Sequence, residues 1–394
     1  NLFEGLNIRY MGPFDGHDVI TLVRVFRDIR NMDGPRILHL RTVKGKGFAP
    51  AEKDPAQWHA PGKFDPVTGE READRPSSAE KPLKYQDVFG NTLLELAQTD
   101  PRIVAVTAAM PSGTSISTMQ KAIPDRVFDV GISEGHAVTF AGGLAKEGLK
   151  PVVGIYSSFL QRAYDHIIHD VALQGLPVVF AIDRAGLVGE DGATHHGVND
   201  LAYMRTVPGM VVASPSDEHL LRCLLATALS DDNHGPFAIR YPRGSGRLVD
   251  WKCPLETIEI GKARCLRPGT QCAVLSLGPL AYETGCALDA LADEGFSVAH
   301  YDMTFLKPLD EELLRALAES GVPVLTVEDG TLNGGLGSAV AEWFADNGYT
   351  GVRLRRLGLP DKFVPQGTPA QLYELCGLDA GAIAAAVRNH ISET

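Results

Sequence analysis

Four short stretches of this 394-residue chain carry side chains whose types and spacing could do chemistry. The longest, Asp183-Arg184-Ala185-Gly186-Leu187-Val188-Gly189-Glu190-Asp191-Gly192-Ala193-Thr194-His195-His196-Gly197, follows an apolar run and sets an arginine, the adjacent acids Glu190 and Asp191 and two adjacent histidines in a glycine-rich loop. A plain connector needs none of these, and binding or catalytic groups concentrate on such loops. The second, Asp129-Val130-Gly131-Ile132-Ser133-Glu134-Gly135-His136, places Glu134 in the first turn of a helix. There a carboxyl can act as a placed acid or base, or can simply favour the helix dipole and cap free N–H groups. The third, Tyr156 to His166, mixes aromatics with Arg162 and could equally be core beneath a helix start. The fourth, Ile239-Arg240-Tyr241-Pro242-Arg243-Gly244, offers two arginines just past a strand. Their planar forks suit a phosphate, and surface ion pairs use them as readily. Two further patterns carry less. Gly334-Gly335-Leu336-Gly337 lacks a full dinucleotide-binding spacing and reads as close packing at a helix start. Lys44-Gly45-Lys46-Gly47 lacks P-loop spacing and reads as a basic turn.

The elements that position these groups follow from the hydrophobic pattern. Uninterrupted apolar runs at 103–107, 151–156, 178–182 and 237–240 alternate with helical stretches. That predicts a parallel α/β sheet covered on both faces, with ligands at the carboxyl ends of its strands. A second set of strands is expected at 272–277, 297–302 and 322–327. Residues 7–10 and 36–42 read as strands around a helix beginning near His17-Asp18 and running to about Arg30, and residues 44–66 as an extended loop. One such unit cannot cover a parallel sheet, so the first 66 residues are expected to be the tail of a larger domain, with no initiator Met and a truncated start. The expected division is 1–66, a polar linker at 67–82, and domains at 83–250 and 251–394.

Composition narrows the class. With 44% hydrophobic and 22% charged residues the chain is ordinary for a globular protein, and its formal charge of −12 argues against nucleic acid or an anionic membrane as the main partner. No signal peptide or membrane-length apolar run is evident, and six cysteines without CxxC spacing read as buried thiols in a cytoplasmic protein. No metal ligand set is expected within the chain.

Taken together, GPFDGHD, KGKGFAPAEKDP, WHAPGKFDP, DVGISEGHAV, the long block from Ile155 to Gly197, AIRYPRG and VEDGTLNGGLGSAV resemble the transketolase-like thiamine-diphosphate enzymes. Among these the resemblance is closest to the 1-deoxy-D-xylulose 5-phosphate synthase family. It implies parallel-sheet α/β domains: the end of a diphosphate-binding domain, a pyrimidine-binding domain and a C-terminal domain. It implies decarboxylation of pyruvate and transfer of the two-carbon unit to D-glyceraldehyde 3-phosphate, a step toward isoprenoid, thiamine and pyridoxal synthesis, in a homodimer with Mg2+. By the same resemblance, Glu134 contacts a pyrimidine ring nitrogen of the cofactor and serves a proton relay, Phe159 stacks on that ring, and Ile132 and Met110 make apolar contacts to it. Tyr156, Arg184 and Arg240, with Arg243 as the alternative, hold the acceptor's phosphate. His195 and Asp191 contact substrate hydroxyls or a developing alkoxide, Arg162 adds positive charge, and His59 and Lys44 close the site from the first segment. The family's Gly-Asp-Gly metal motif is missing from this sequence. Its ligands are expected upstream of Asn1, so this chain alone is expected to be inactive unless an N-terminal fragment joins it. A transketolase, a 2-oxo-acid dehydrogenase β-type subunit and an inactive dimerisation scaffold are the alternatives.

Overall fold

A computed structural model describes residues 2–59, 61–71 and 81–393, so residues 72–80 of the expected linker lie outside the described residues. The chain divides into two compact units, Asn1–Glu80 and Lys81–Thr394. In the first, β1 (Arg9–Asp15) and β2 (Arg36–Arg41) pair in parallel around a helix, Val19–Ile29. Asp18 sets that helix's start by accepting from the Thr21 amide. The stretch expected as extended loop holds a short helix, Ala49–Lys53, with a proline in its first turn. Phe48, Trp58 and Phe64 pack their rings edge-on or tilted nearby, giving this non-periodic segment a small core that pattern alone does not reveal.

The second unit holds two sheets. The larger contains β3 (Ile103–Thr107), β4 (Val127–Asp129), β5 (Lys150–Tyr156), β6 (Val179–Ala185), β7 (Val211–Ala213) and β8 (Phe237–Pro242). The smaller contains β9 (Arg264–Arg267), β10 (Cys272–Ser276), β11 (Val298–Asp302), β13 (Val324–Thr331) and β14 (Leu354–Leu359), in the order β14-β13-β10-β11-β9. The strand between β11 and β13, β12 (Phe305–Lys307), leaves this region and pairs antiparallel with β7, giving the larger sheet the order β12-β7-β8-β6-β5-β3-β4. All other pairings in the larger sheet are parallel.

The strand pattern follows from burial on both faces. In β6, Phe180 and Ile182 point into one core while Val179 and Ala181 point into another. In β10, Ala273 and Leu275 join the same first core, while Cys272 and Val274 enter a third. The first core is therefore shared between the two sheets. The short strands β4, β7, β9 and β12, at three to four residues each, are too brief for an apolar run to mark them. All six cysteines are free thiols, but only Cys272 is buried and Cys265 is exposed, so a uniformly buried set is not what forms. Cys265 lies on the edge strand β9, where one face meets solvent. Among the described residues, no helix is long and apolar enough to cross a membrane.

His300 on β11 illustrates the cost of this burial. It is 3% exposed, its Nε2 meets Ser276 Oγ at 2.8 Å, and burial pushes its pKa down to about 4 from 6.5. The unfolded chain then binds a proton that the folded chain refuses, so this residue's contribution falls as pH drops from 6.5 toward 4. The full window is worth about 3 kcal/mol. We expect the stability gap between the wild type and His300→Asn to narrow by that order across the window, read from denaturant unfolding at several pH values. A constant gap would contradict it.

Candidate active site

The carboxyl ends of β3, β5, β6 and β8 converge where the strand order reverses around β3, the place where an open α/β sheet leaves a crevice. Each end contributes one expected residue. After β3 the backbone turns through Ala109 in a left-handed conformation (φ 60°) and delivers Met110. Asp129 at the end of β4 accepts from the Ala109 amide at 2.7 Å and from the Gly131 amide at 3.0 Å. One carboxylate thus fixes both the turn before Met110 and the turn that presents Ile132, which is 86% exposed. The sequence alone gives Asp129 no role; an acid closing a strand, two residues before a glycine, is the available signal.

Glu134 begins the helix Glu134–Lys146 and is 5% exposed. Arg162 Nη1 donates to its Oε1 at 2.8 Å, and the Arg162 guanidinium lies over the Phe159 ring, 4.9 Å from its centroid. Phe159 stacks on Tyr156 at 5.7 Å and meets His195 edge-on at 5.3 Å. On the far face of this row, Arg184 lies 3.9 Å over the Tyr156 ring. Glu134, Arg162, Phe159, Tyr156 and Arg184 therefore form one unbroken chain of contacts, with His195 on its flank.

Arg184 is held from behind. Its Nη1 donates to Gly113 O at 2.7 Å, Asp183 Oδ1 at 2.9 Å and Gln86 Oε1 at 3.2 Å, leaving Nε and Nη2 without partners among the described residues. Asp183 is fully buried, and burial pushes its carboxyl up to about 6 against the pull of Arg184. Burial likewise raises the Tyr156 phenol, whose hydroxyl rests where a side chain on Gly113 would have to sit.

The loop after β6 closes on itself through Gly186 N to Gly197 O at 2.7 Å and Gly197 N to Gly186 O at 2.9 Å. Of its two histidines, His196 is buried and spent on structure: Nδ1 accepts from the Val188 amide and Nε2 faces Pro365 O, both at 3.1 Å. His195 is partly exposed and, among the described residues, its ring bonds only its neighbour Thr194 Oγ1, at 2.9 Å, while Asp191 pairs with Arg243. A Cβ on Gly197 would fall 2.3 Å from Arg184 O and 2.5 Å from Ser157 Cβ. Backbone cannot yield there, so Gly197→Ala should destabilise the chain by about 2 kcal/mol, read as a lower melting temperature. An unchanged melting temperature would mean that the neck of the loop is looser than described.

One expectation changes on contact with the geometry. Arg240, expected at a phosphate, is 1% exposed with its fork already taken: Nε to Asp200 Oδ2 at 2.9 Å and Nη1 to Asp329 Oδ1 at 2.5 Å. Buried within β8 between the two carboxylates it pairs with, it leaves no donor facing solvent. Arg243, three residues further on just past the strand and about one-third exposed, is the arginine of that loop that reaches the surface. The Gly334–Gly337 run packs as read: the Leu336 and Gly337 amides donate to Glu328 at 2.7 and 2.8 Å, and a side chain on Gly335 would strike that carboxylate. Lys44 and His59 meet each other within the first unit, Nζ to Nδ1 at 2.7 Å. Beside Phe159 and His195, a cavity of about 590 Å³ opens between Ser158, Gln161 and Thr194 on one side and residues 359–364 on the other. Among the described residues no group of three or more His, Cys, Asp or Glu is arranged to hold a metal.

Family models match this chain in three places: a transketolase pyrimidine-binding domain over residues 81–248, a transketolase C-terminal domain over 261–383, and 1-deoxy-D-xylulose-5-phosphate synthase over 1–42. A solved chain described as a split-gene transketolase, an inactive β4 tetramer, is 31% identical with a TM-score of 0.70, and the match covers 79% of this chain and 99% of that one. The chain belongs to the transketolase family. Within it, a 1-deoxy-D-xylulose-5-phosphate synthase from Bacteroides thetaiotaomicron is 59% identical over 97% of this chain, and one from Porphyromonas gingivalis is 55% identical over the same share. The chain spans 59% and 60% of those two relatives' lengths. A Pichia stipitis transketolase at 18% identity and TM-score 0.64 shares the fold, covering 80% of this chain and 47% of its own. The transketolase pyrimidine-binding match contains every member of the contact chain from Glu134 to Arg184.

Proposed function

We propose that this chain contributes the pyrimidine-binding and acceptor-binding half of a thiamine-diphosphate-dependent 1-deoxy-D-xylulose-5-phosphate synthase. The observation that carries this reading is the contact chain from Glu134 through Arg162, Phe159 and Tyr156 to Arg184. It joins a buried carboxyl, an aromatic face and a half-free guanidinium in one row. The row fits the cofactor's pyrimidine: Phe159 offers a ring face, Met110 and Ile132 apolar contacts, and Glu134 a carboxyl in a nearly dry place. When bound, thiamine diphosphate would supply a carbon nucleophile able to add to the carbonyl carbon of a 2-oxo acid and take up the electron pair left as carbon dioxide departs. The chain's own part is placement and protons. Glu134 holds a proton at a ring nitrogen, Arg184 and Arg243 bind the phosphate of D-glyceraldehyde 3-phosphate, and His195 with Asp191 contacts its hydroxyl and carbonyl oxygens. Mg2+ would hold the diphosphate, and the working form is a homodimer. The domain boundaries near 66, 83 and 250 belong to the same reading.

The deciding assay follows labelled pyruvate in the protein that carries these residues, with thiamine diphosphate and Mg2+ added. Release of carbon dioxide together with formation of deoxyxylulose phosphate supports the synthase. Ketose exchange without carbon dioxide release would replace it with a transketolase. A second reading draws on the split-gene transketolase chain described as an inactive β4 tetramer, 99% of which this chain covers. Residues 1–394 on their own then form a catalytically silent assembly. Turnover by this polypeptide alone would refute that reading.

A further inference from the structure

Arg240, Asp200 and Asp329 form an ion cluster in which each residue is about 1% exposed. Arg240 and Asp200 belong to the larger-sheet region, whereas Asp329 comes from β13 of the smaller sheet. The cluster sits against the neck of the loop that carries Asp191 and His195. Arg240 Nη2 faces Gly197 O at 3.4 Å, and Asp329 Oδ2 lies 2.1 Å from where a Cβ on Gly186 would stand. Gly186 has φ 71°, so only a glycine admits the carboxylate that closely. Beyond the neck, Leu187 is inserted into the core behind the smaller sheet rather than either core of the larger one. The neck is thus held by Arg240 of the larger sheet and Asp329 of the smaller one, and Leu187 beyond it packs into the smaller sheet's core.

We infer that Asp329, acting through Arg240 and the Gly186–Gly197 neck, is a positioning residue that makes the C-terminal sheet set the placement of Asp191 and His195. This rests on the functional reading above for what the loop does, but the grip itself stands on the geometry. A buried ion cluster is a costly way to stabilise a fold, and its better-attested use is to fix one arrangement among several. The cluster has two arrangements available to it only if Asp329 can let go, and a neutral side chain there weakens its hold on Arg240 while keeping its shape.

Hydrogen exchange on the whole chain tests this with Asp329→Asn. Amides of residues 187–196 should exchange about tenfold faster, while those of β6 and β10 keep their wild-type rates. No change in the loop, or equal acceleration everywhere, would overturn the proposal, because the cluster would then be inert or a general stabiliser. Should that variant not fold, Leu187→Ala leaves the ions intact and withdraws another of the loop's anchors. Loop-confined acceleration there supports the proposal and uniform acceleration rejects it. In the active protein, Asp329→Asn should raise the Michaelis constant for the phosphorylated acceptor about tenfold with that for pyruvate unchanged. Equal effects on both would overturn the positioning role. Faster loop exchange without deoxyxylulose phosphate formation in either form would instead leave the grip standing and sink the functional reading.

Discussion

Replacing Glu134 with alanine is expected to lower turnover about a thousandfold while leaving the fold in place, within the range for loss of a placed proton-transfer group. The competing view is that Glu134 is only a helix-start residue, and the two views differ in sign. Its structural worth is bounded: one hydrogen-bonded pair with Arg162, whose side chain is 60% exposed, and a favourable place at a helix N-terminus. Together these amount to about 1 kcal/mol. A capping residue would thus give a lower melting temperature with nearly normal turnover. A proton-relay residue gives the reverse. Glu134→Gln sharpens the contrast, because it keeps the shape and a hydrogen bond to Arg162 but cannot exchange a proton at a ring nitrogen. If the glutamine variant turned over within tenfold of the wild type, the relay would have to be assigned elsewhere.

The second large effect separates two arginines three residues apart. Arg243→Ala should raise the Michaelis constant for glyceraldehyde phosphate about 30-fold, the equivalent of about 2 kcal/mol for a lost charge-assisted contact. The melting temperature should hardly move, since its pair with Asp191 is part-exposed on both sides. Arg240→Ala should do the opposite. It strands Asp200 and Asp329 as buried carboxylates without a counter-ion, which costs about 3–5 kcal/mol and should show as a collapse in stability before any kinetic constant can be measured. If Arg240→Ala folded normally and lost only acceptor affinity, the burial argument would fail and the phosphate would belong to Arg240 after all.

The contrast also marks where the sequence could be read and where it could not. Runs such as 103–107 and 272–277 announce buried parallel strands because both faces are covered, so no alternation dilutes them. The Asp183–Gly197 stretch announces a working loop because nothing structural requires its chemistry. What stays illegible is which of two like residues faces solvent. His195 and His196, or Arg240 and Arg243, have nearly the same local grammar. Their fates are decided by Pro365 and Asp329, more than eighty residues away and brought in by the second sheet. The helix at Ala49–Lys53 stays hidden for a related reason, since its support is an aromatic cluster without period. Short strands such as β7 and β12 exist because each gives the other's edge a partner.

That last pairing bears on how the molecule can be divided. A cut near residue 250, where the pattern suggests a seam, would strip β12 from β7 and leave an unsatisfied row of amides and carbonyls at the border of the larger sheet. Recombination or subcloning at that point should yield a piece prone to strand-to-strand association, whereas residues 81–393 should travel as one inherited block.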